Sequence, residues 1–336
     1  MTRRQVANEI LSVSGRSCSG MAWNPLAPDA PSFEIENAPA PLFRDPIFDG
    51  AADSSIMWHR ENSEWWLFYT QRRSNIDVPG KAWIHGSEIG VATATDSGRF
   101  CYRGTLELEI EPGHNTHWAP EILFHDGIYH LYVSYLPGVP QTWEGPRYIV
   151  HCTSEDCWEW TVERTLSLSS EYVIDADVHR LEDGTWRMWY KDEADDAYIY
   201  AADSEDLYEW TARETPVLAD QAQEAPIVFE WQGYYWLLTD SWDGLSVYRS
   251  LDGHEWTAQS DRLLTDAGER PGDDYEGGHP DVFVVDGRAY LLYHVHQSGD
   301  GRRYTVDDDR ARQTVLQVAE LETENGWLVC DRDRYQ

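Results

Sequence analysis

The sequence predicts an all-β protein, a five-bladed β-propeller whose four-stranded antiparallel blades surround a central funnel. Two observations carry this prediction. One hairpin pattern recurs five times along the 336 residues, and no convincing amphipathic helix separates the copies. A β-sandwich is also built from antiparallel strands, but a sandwich does not predict five copies of one hairpin.

Each copy consists of an apolar run, a tight turn and an aromatic-rich strand. The copies begin at Ala52, Trp118, Ile174, Gln223 and Gly277. Their turns are centred on Asn62, Gly127, Gly184, Gly233 and Gly287. Asn and Gly tolerate the left-handed backbone that a hairpin turn demands, so each copy supplies the first two strands of a blade.

A third and a fourth strand follow each hairpin. In three copies a Ser/Asp turn and a Trp join these strands, in the segments IVHCTSEDCWEWT, IYAADSEDLYEWT and SVYRSLDGHEWTA. Strand, hairpin, strand, turn and strand make one antiparallel blade. The sequence therefore predicts a single propeller domain over residues 41–336, preceded by an N-terminal extension over residues 1–40.

The charge of the chain excludes two classes of partner. The 60 acidic and 26 basic residues give a formal net charge of −34. Nucleic acids and anionic membrane surfaces both select cationic faces, so neither is expected as a partner. No apolar run is long enough to span a membrane, and Arg3 and Arg4 are not followed by the apolar stretch of a secretory signal. We therefore expect a cytoplasmic protein.

Lysine is almost absent from the chain. Lys81 and Lys191 are the only lysines, and all other basic residues apart from histidine are arginines. An acidic chain with so little lysine is typical of salt-loving organisms, in which molar salt shortens the Debye length to about 3 Å and screens carboxylate repulsion. A GC-rich bacterial genome also favours arginine, but the composition favours a halophile.

Counting back from the five turns predicts which residues face the funnel. The innermost strand of each blade lines the central channel, so equal distances from equivalent turns should reach one level around the axis. Nine residues before the turns stand Asp53, Trp118, Asp175, Glu224 and Gly278. A carboxylate at the start of an inward-facing apolar strand is costly unless it has a task. We expect Asp53, Asp175 and Glu224 to converge on one cavity.

Five short motifs resemble those of the family 43 glycoside hydrolases, in the five-bladed propeller clan that also contains arabinanases, fructosidases and agarobiose hydrolases. They are Ala52-Asp53-Ser54-Ser55, Trp118-Ala119-Pro120-Glu121, Ile174-Asp175, Glu224-Ala225-Pro226 and Gly278-His279. The resemblance runs from about Leu42 to Leu328. Ser54 and Ala225 depart from the proline and glycine of the family pattern, which indicates an outlying branch.

The resemblance implies a glycoside hydrolase that inverts configuration at the anomeric carbon. Asp53 would be the general base that activates water, and Glu224 the general acid at the leaving oxygen. Asp175 would hold Glu224 in place and raise its pKa through like charge. We expect action on the ends of arabinofuranoside, xyloside or similar oligosaccharides.

Other residues are expected to contact the sugar. Trp118 can stack on an apolar sugar face, and Trp83 and His85 lie on a first-blade loop that can fold over the funnel. Arg72 belongs to a basic pair next to this loop. The resemblance requires no cofactor and suggests that His279 faces a channel ion, commonly calcium, or the substrate.

Several alternatives stay open. Asp45 stands in an Asp-Pro motif and could be the base instead of Asp53. Asp177 could be the third carboxylate because it lies on the same strand face as Asp175. A non-catalytic carbohydrate-binding propeller, or a related glycosidase of other sugar specificity, would share this fold. The sequence does not predict an oligomeric state.

Overall fold

The computed structural model describes residues 30–96, 98–297 and 309–335. These residues form five four-stranded sheets with antiparallel pairing, and each sheet is one uninterrupted stretch of chain. The innermost strands contact one another in sequence order, and the fifth contacts the first. The predicted five-bladed β-propeller is therefore confirmed.

The strands of the first two blades are β1 (Ala51–His59), β2 (Glu64–Gln71), β3 (Glu88–Ala94), β4 (Cys101–Thr105), β5 (Thr116–His125), β6 (Ile128–Leu136), β7 (Tyr148–Ser154) and β8 (Thr161–Thr165). Those of the third and fourth blades are β9 (Val173–Arg180), β10 (Trp186–Asp192), β11 (Tyr198–Ser204), β12 (Thr211–Ala212), β13 (Glu224–Trp231), β14 (Tyr234–Asp240), β15 (Leu245–Ser250) and β16 (Thr257–Ala258). The fifth blade contains β17 (Gly278–Val285), β18 (Arg288–His296), β19 (Thr314–Glu324) and β20 (Trp327–Cys330). Within the described residues, helix is confined to a 3-10 turn, Ile35–Asn37, and a one-turn helix, α1 (Asp309–Arg312).

The hydrophobic core consists of clusters between neighbouring blades. The aromatic residues that mark the hairpins in the sequence fill these clusters: Trp65 packs between blades 1 and 5, and Trp236 between blades 4 and 5. Both indoles are almost completely buried. Full burial of a large side chain contributes about 1.5–3 kcal/mol, so the hairpins that define the repeat also hold the blades together.

The Ser/Asp turns close the outer hairpins of blades 2, 3 and 4. In blade 3, Asp206 accepts hydrogen bonds from the backbone N–H groups of Tyr208 and Glu209, both at 2.9 Å. These bonds lower the pKa of Asp206. Leu207 takes the left-handed conformation that the turn requires, with φ of 70°. The Trp210 indole donates to the carbonyl oxygen of Leu207, which explains why a Trp follows the turn.

The chain segment before β1 closes the ring. Phe43 forms an antiparallel bridge with Leu316, and Gly50 a parallel bridge with Thr314, so this segment joins blade 1 to blade 5. Phe33 and Ile35 are fully buried in the same cluster. The described part of the predicted extension 1–40 therefore packs on the propeller, and residues 1–29 lie outside the described residues. Among the described residues, no helix combines the length and apolar character needed to cross a membrane.

Several buried histidines lie away from the funnel. His130 and His151 stack at 5.2 Å and share a hydrogen bond of 3.0 Å between Nδ1 and Nε2. Burial lowers the pKa of His130 to about 4 and that of His151 to about 3. Burial also lowers the pKa of His179 to about 3. These side chains are neutral in the folded protein at pH 7.

The histidines predict a loss of stability in mild acid. In the unfolded chain these histidines bind protons near pH 6.5, whereas in the folded chain they bind protons only near pH 3–4. Stability is therefore full above pH 6.5 and falls as the pH drops, by up to about 2 kcal/mol per histidine between pH 7 and 5. Urea unfolding at pH 7, 6 and 5 measures this loss. His151→Gln should make the pH dependence shallower, and an unchanged slope would contradict the assignment.

Candidate active site

A β-bulge begins the inward-facing part of every innermost strand. The pairing of β1, β5, β9, β13 and β17 with the second strand of its blade is interrupted at the same point. A residue with left-handed backbone lies in each interruption: Asp53, Ala119, Asp175, Ala225 and His279, with φ between 43° and 58°. Such backbone is unfavourable for residues other than glycine and is typical of functional sites, where bulges redirect side chains.

The positions of the bulges show that the predicted ring of equivalent residues is off by one residue in blades 1 and 3. The last paired residues before the bulge are Ala52, Trp118, Ile174, Glu224 and Gly278. Asp53 and Asp175 are therefore equivalent to His279 and not to Glu224. The count from the turns was wrong in blades 1 and 3 because their hairpins are longer: His59 pairs with Glu64, whereas His125 of blade 2 pairs with Ile128.

A ring of hydrogen bonds between blades fixes the bulges. In four blades the N–H of the bulge residue donates to a side chain on the second strand of the preceding blade. These bonds are Ala119 N to Thr70 Oγ1 (2.8 Å), Asp175 N to Ser134 Oγ (3.0 Å), His279 N to Asp240 Oδ2 (2.9 Å) and Asp53 N to His294 Nδ1 (3.4 Å). In blade 4 the N–H of Ala225 donates instead to Asp175 Oδ2, at 3.2 Å.

One pocket at this end of the propeller collects most of the predicted site residues. Its walls are Asp53, Arg72, Ile84, Trp118, Trp143, Arg147, Ile174, Asp175, Glu193, Glu224 and His279. The three predicted carboxylates thus face one cavity. A larger groove lies between the outer strands of blades 4 and 5, lined by residues 259–267 and 324–333, and contains none of the predicted site residues.

Asp53 is surrounded by cationic and polar groups. Arg72 Nη2 lies 2.7 Å from Asp53 Oδ1, and both side chains are buried. The Nδ1 atoms of His279 and His294 lie 3.3 and 3.4 Å from the same oxygen. The guanidinium pairs with the ionised carboxylate, which is the form that a general base needs.

Glu224 is held at both oxygens by donors. Lys191 Nζ lies 2.8 Å from Oε2, and the Trp242 indole N–H donates to Oε1 at 2.9 Å. Lys191 also pairs with Glu193 at 2.9 Å, and Arg147 pairs with Glu193 at 2.7 Å. Burial alone would raise the pKa of Glu224, but the ammonium group of Lys191 lowers it to about 2.

The raised pKa predicted for Glu224 is found on Asp175 instead. Burial raises the pKa of Asp175 to about 7, and the negative charge of Glu224 adds to the rise against the opposing charges of His279 and Lys191. The expected direction for Glu224 was wrong because Lys191, which sequence reasoning did not place at the site, outweighs the like charge of Asp175.

The aromatic residues form a wall in two layers. Trp118 lines the pocket and donates its indole N–H to the carbonyl oxygen of Ile84 at 2.8 Å. His85 is fully buried behind it, with ring centroids 5.0 Å apart. Trp83 is also buried, under the guanidinium of Arg312. Trp83 and His85 therefore support the pocket wall and are not among its lining residues. Trp143, which sequence reasoning missed, forms the outer edge and is 45% exposed.

The two alternative carboxylates lie outside this pocket. Asp45 accepts hydrogen bonds from the Tyr69 hydroxyl and the Gln71 amide, both at 2.8 Å. Asp177 accepts the backbone N–H of Val228 at 3.0 Å, further down the channel. Each is satisfied by bonds that hold the fold together.

Three buried carboxyl groups line the channel beyond the pocket. Glu121, Asp177 and Asp281 each accept a backbone N–H from the next blade. Burial raises the pKa of all three carboxyls. His279 turns Nδ1 toward Asp53. Across residues 30–96, 98–297 and 309–335, no group of three or more acidic, His or Cys side chains could hold a metal ion.

Comparison with known proteins assigns the family. The family model for "Glycosyl hydrolases family 43" matches residues 102–328. A thermostable family-43 glycoside hydrolase is similar in structure, with a TM-score of 0.64 and 19% identity, covering 86% of this chain and 96% of that one. A xylan β-1,4-xylosidase from Bacillus halodurans has the same TM-score and 16% identity, covering 86% of this chain and 56% of that one.

An exo-1,5-α-L-arabinanase from a bovine ruminal metagenomic library has a TM-score of 0.60 and 18% identity. The match covers 86% of this chain and 99% of that one. None of the curated proteins matches this sequence. The structural similarities show the shared fold, and the family model spans four of the five blades and the end of the first. On this evidence the chain belongs to glycosyl hydrolase family 43.

Proposed function

We propose that this glycoside hydrolase inverts configuration and releases single sugars from the ends of arabinofuranoside, xyloside or similar oligosaccharides. The observation that carries the proposal is that Asp53, Asp175 and Glu224 line one pocket in three different electrostatic settings. Hydrolysis of a glycosidic bond needs carboxyl groups in unlike states, because one must accept a proton while another donates one.

Asp53 is the general base of the proposed mechanism. It accepts a proton from the water that attacks the anomeric carbon, on the sugar face opposite the leaving group. Its ion pair with Arg72 fixes the orientation of the carboxylate before substrate arrives. The remaining oxygen, Oδ2, is the one that faces water in this mechanism.

Glu224 is the general acid, and the donors around its carboxylate determine which hydrogen bond substrate binding must replace. A donor at each oxygen stabilises the ionised form of Glu224, so the loss of one donor favours its protonation. Trp242 is 38% exposed, whereas the Lys191 side chain is buried. The leaving oxygen of the substrate therefore replaces the Trp242 indole N–H at Oε1. The raised pKa of Asp175 and the lowered pKa of Glu224 mean that, in the free enzyme, Asp175 takes up a proton before Glu224 does.

The walls of the pocket favour a compact sugar ring. Trp118 offers an indole face on one side, and Trp143 narrows the mouth. Aromatic faces of this kind stack on the apolar C–H face of a sugar. Solved structures similar in fold include a β-xylosidase/α-arabinofuranosidase in complex with xylotriose and a β-1,3-galactosidase. Pentosides are the first class to test, and galactosides the second.

A non-catalytic carbohydrate-binding propeller is the second candidate. One observation favours it: both oxygens of Glu224 are occupied by donors, which holds the group in the ionised state. A sugar-binding protein needs fixed hydrogen-bond acceptors and no proton donor. Binding without release of sugar would separate this candidate from the enzyme.

The test is a product analysis with a panel of substrates. Aryl α-L-arabinofuranosides, β-D-xylosides and β-D-galactosides are incubated with the protein, and the anomer released first is identified by proton NMR. We expect release of one sugar with the anomeric configuration opposite to that of the substrate. Release with retained configuration would contradict the mechanism, and binding of the panel with no release would support the binding protein.

The assay needs molar salt. The net charge of −34 and the scarcity of lysine support a halophilic protein, whose fold relies on screening of its carboxylates. Residues 41–336 are proposed as one catalytic domain, and a cytoplasmic location stays a prediction from the sequence.

A further inference from the structure

Lys191 breaks the ring of hydrogen bonds that fixes the bulges. The second-strand residue paired with the last residue before the bulge is Thr70, Ser134, Asp240 or His294 in four blades, and each accepts the bulge N–H of the next blade. In blade 3 the equivalent residue is Lys191, which pairs with Ile174. An ammonium group has no atom that accepts a hydrogen bond, so Lys191 cannot accept the bulge N–H of the next blade.

The exception leaves Lys191 free to serve the pocket. Asp175 takes over as acceptor for Ala225, the residue after Glu224. The ammonium group of Lys191 instead lies between two carboxylates, 2.8 Å from Glu224 and 2.9 Å from Glu193. This lysine is one of only two in a chain that otherwise uses arginine. A lysine is a compact point charge on a flexible stem.

Every charged group around Glu224 affects how readily this carboxylate binds a proton. The charged or titratable residues that line the pocket or pair with them are Asp53, Arg72, Arg147, Asp175, Lys191, Glu193, His279 and His294. Among the described residues, Lys191 is the cation that forms an ion pair with Glu224 directly. Arg72 is paired with Asp53, and Arg147 with Glu193.

We propose that Lys191 is a positioning residue that holds the Glu224 carboxylate by a direct ion pair and so controls when Glu224 can carry a proton. Glu193 also pairs with Lys191, and its negative charge weakens the effect of the Lys191 charge on Glu224. The inference rests on the proposed function, because it assigns to Lys191 an effect on the general acid of that reaction.

Charge-removing variants test the proposal through the pH profile of kcat/KM. Lys191→Met keeps the length of the side chain and removes the charge, so the basic limb should move up by about one to three pH units. Lys191→Arg keeps the charge and should keep the limb near that of the wild type. An unchanged limb in Lys191→Met, or an equal shift in both variants, would overturn the proposal.

Glu193→Gln provides a test of opposite sign. It removes a negative charge and leaves Lys191 with Glu224 as its sole carboxylate partner, so the basic limb should move to lower pH. A role for Lys191 in packing alone does not predict opposite shifts from Lys191→Met and Glu193→Gln. Shifts in the same direction would contradict the proposal.

A measurement without substrate separates this inference from the function it rests on. The Glu224 side-chain carboxyl is followed by carbon-13 NMR as the pH is changed, and its signal is assigned by its absence in Glu224→Gln. The titration midpoint should rise in Lys191→Met, and thermal unfolding checks that this variant is folded. A midpoint that does not move would overturn the role of Lys191 even in an active enzyme. A wild-type protein that cleaves no glycoside but shows the shift would overturn the proposed function alone.

Discussion

Replacing Asp53 with Asn should lower kcat by about 10²–10⁴-fold with little change in the fold. Asparagine has nearly the same shape but cannot accept the proton of the attacking water, so the loss is that of general-base catalysis. Steady-state kinetics on the best substrate of the panel, with circular dichroism as a check on folding, measures the effect.

Asp45→Asn is the matched control for this prediction. It makes the same chemical change at Asp45, the carboxylate of the Asp45-Pro46 motif, which lies outside the pocket and accepts bonds from Tyr69 and Gln71. Activity should survive in a folded Asp45→Asn protein. A large loss there, together with normal turnover in Asp53→Asn, would move the base to Asp45.

The loss of activity in Glu224→Gln should depend on the leaving group. A general acid matters most when the departing oxygen is basic and least when it leaves readily as an acidic phenolate. We expect a loss of about 10²–10⁴-fold for alkyl glycosides and oligosaccharides, and a much smaller loss for dinitrophenyl glycosides. Measuring kcat for both kinds of substrate gives the ratio.

Asp175→Asn is the comparison that decides which carboxyl donates the proton. Asp175 has the raised pKa, so it is the group that could replace Glu224 in this role. If Glu224 is the acid, Asp175→Asn lowers activity on both kinds of substrate to a similar degree. Leaving-group dependence in Asp175→Asn and none in Glu224→Gln would assign the acid to Asp175.

The propeller could be predicted from the sequence because its signals are local. A turn residue and the aromatic strand after it lie within a few residues of one another, as in Gly127 and β6. The prediction of which residues are equivalent around the axis was wrong by one position in two blades. The Asn or Gly of a hairpin turn does not show how long that turn is. The closing bridges at Phe43 and Gly50 were missed because they join distant parts of the chain.

The carboxylates of the site could be found from motifs, but their protonation could not. The pKa of Glu224 depends on Lys191, which lies on another blade and 33 positions earlier. The scarcity of lysine was the signal that could have singled it out. Trp242 and Glu193 follow the ends of β14 and β10 and carry no motif, so only the fold brings them to Glu224.

The uninterrupted blades have an evolutionary consequence. Trp143 and Arg147 come from the connection between β6 and β7, and Trp242 from that between β14 and β15. Each connection begins and ends within its own sheet, so its length can vary while the strand order of the five sheets stays the same. Lineages can therefore exchange or lengthen one such segment, as in a set of interchangeable modules, and acquire a new sugar preference while the carboxylates stay where they are.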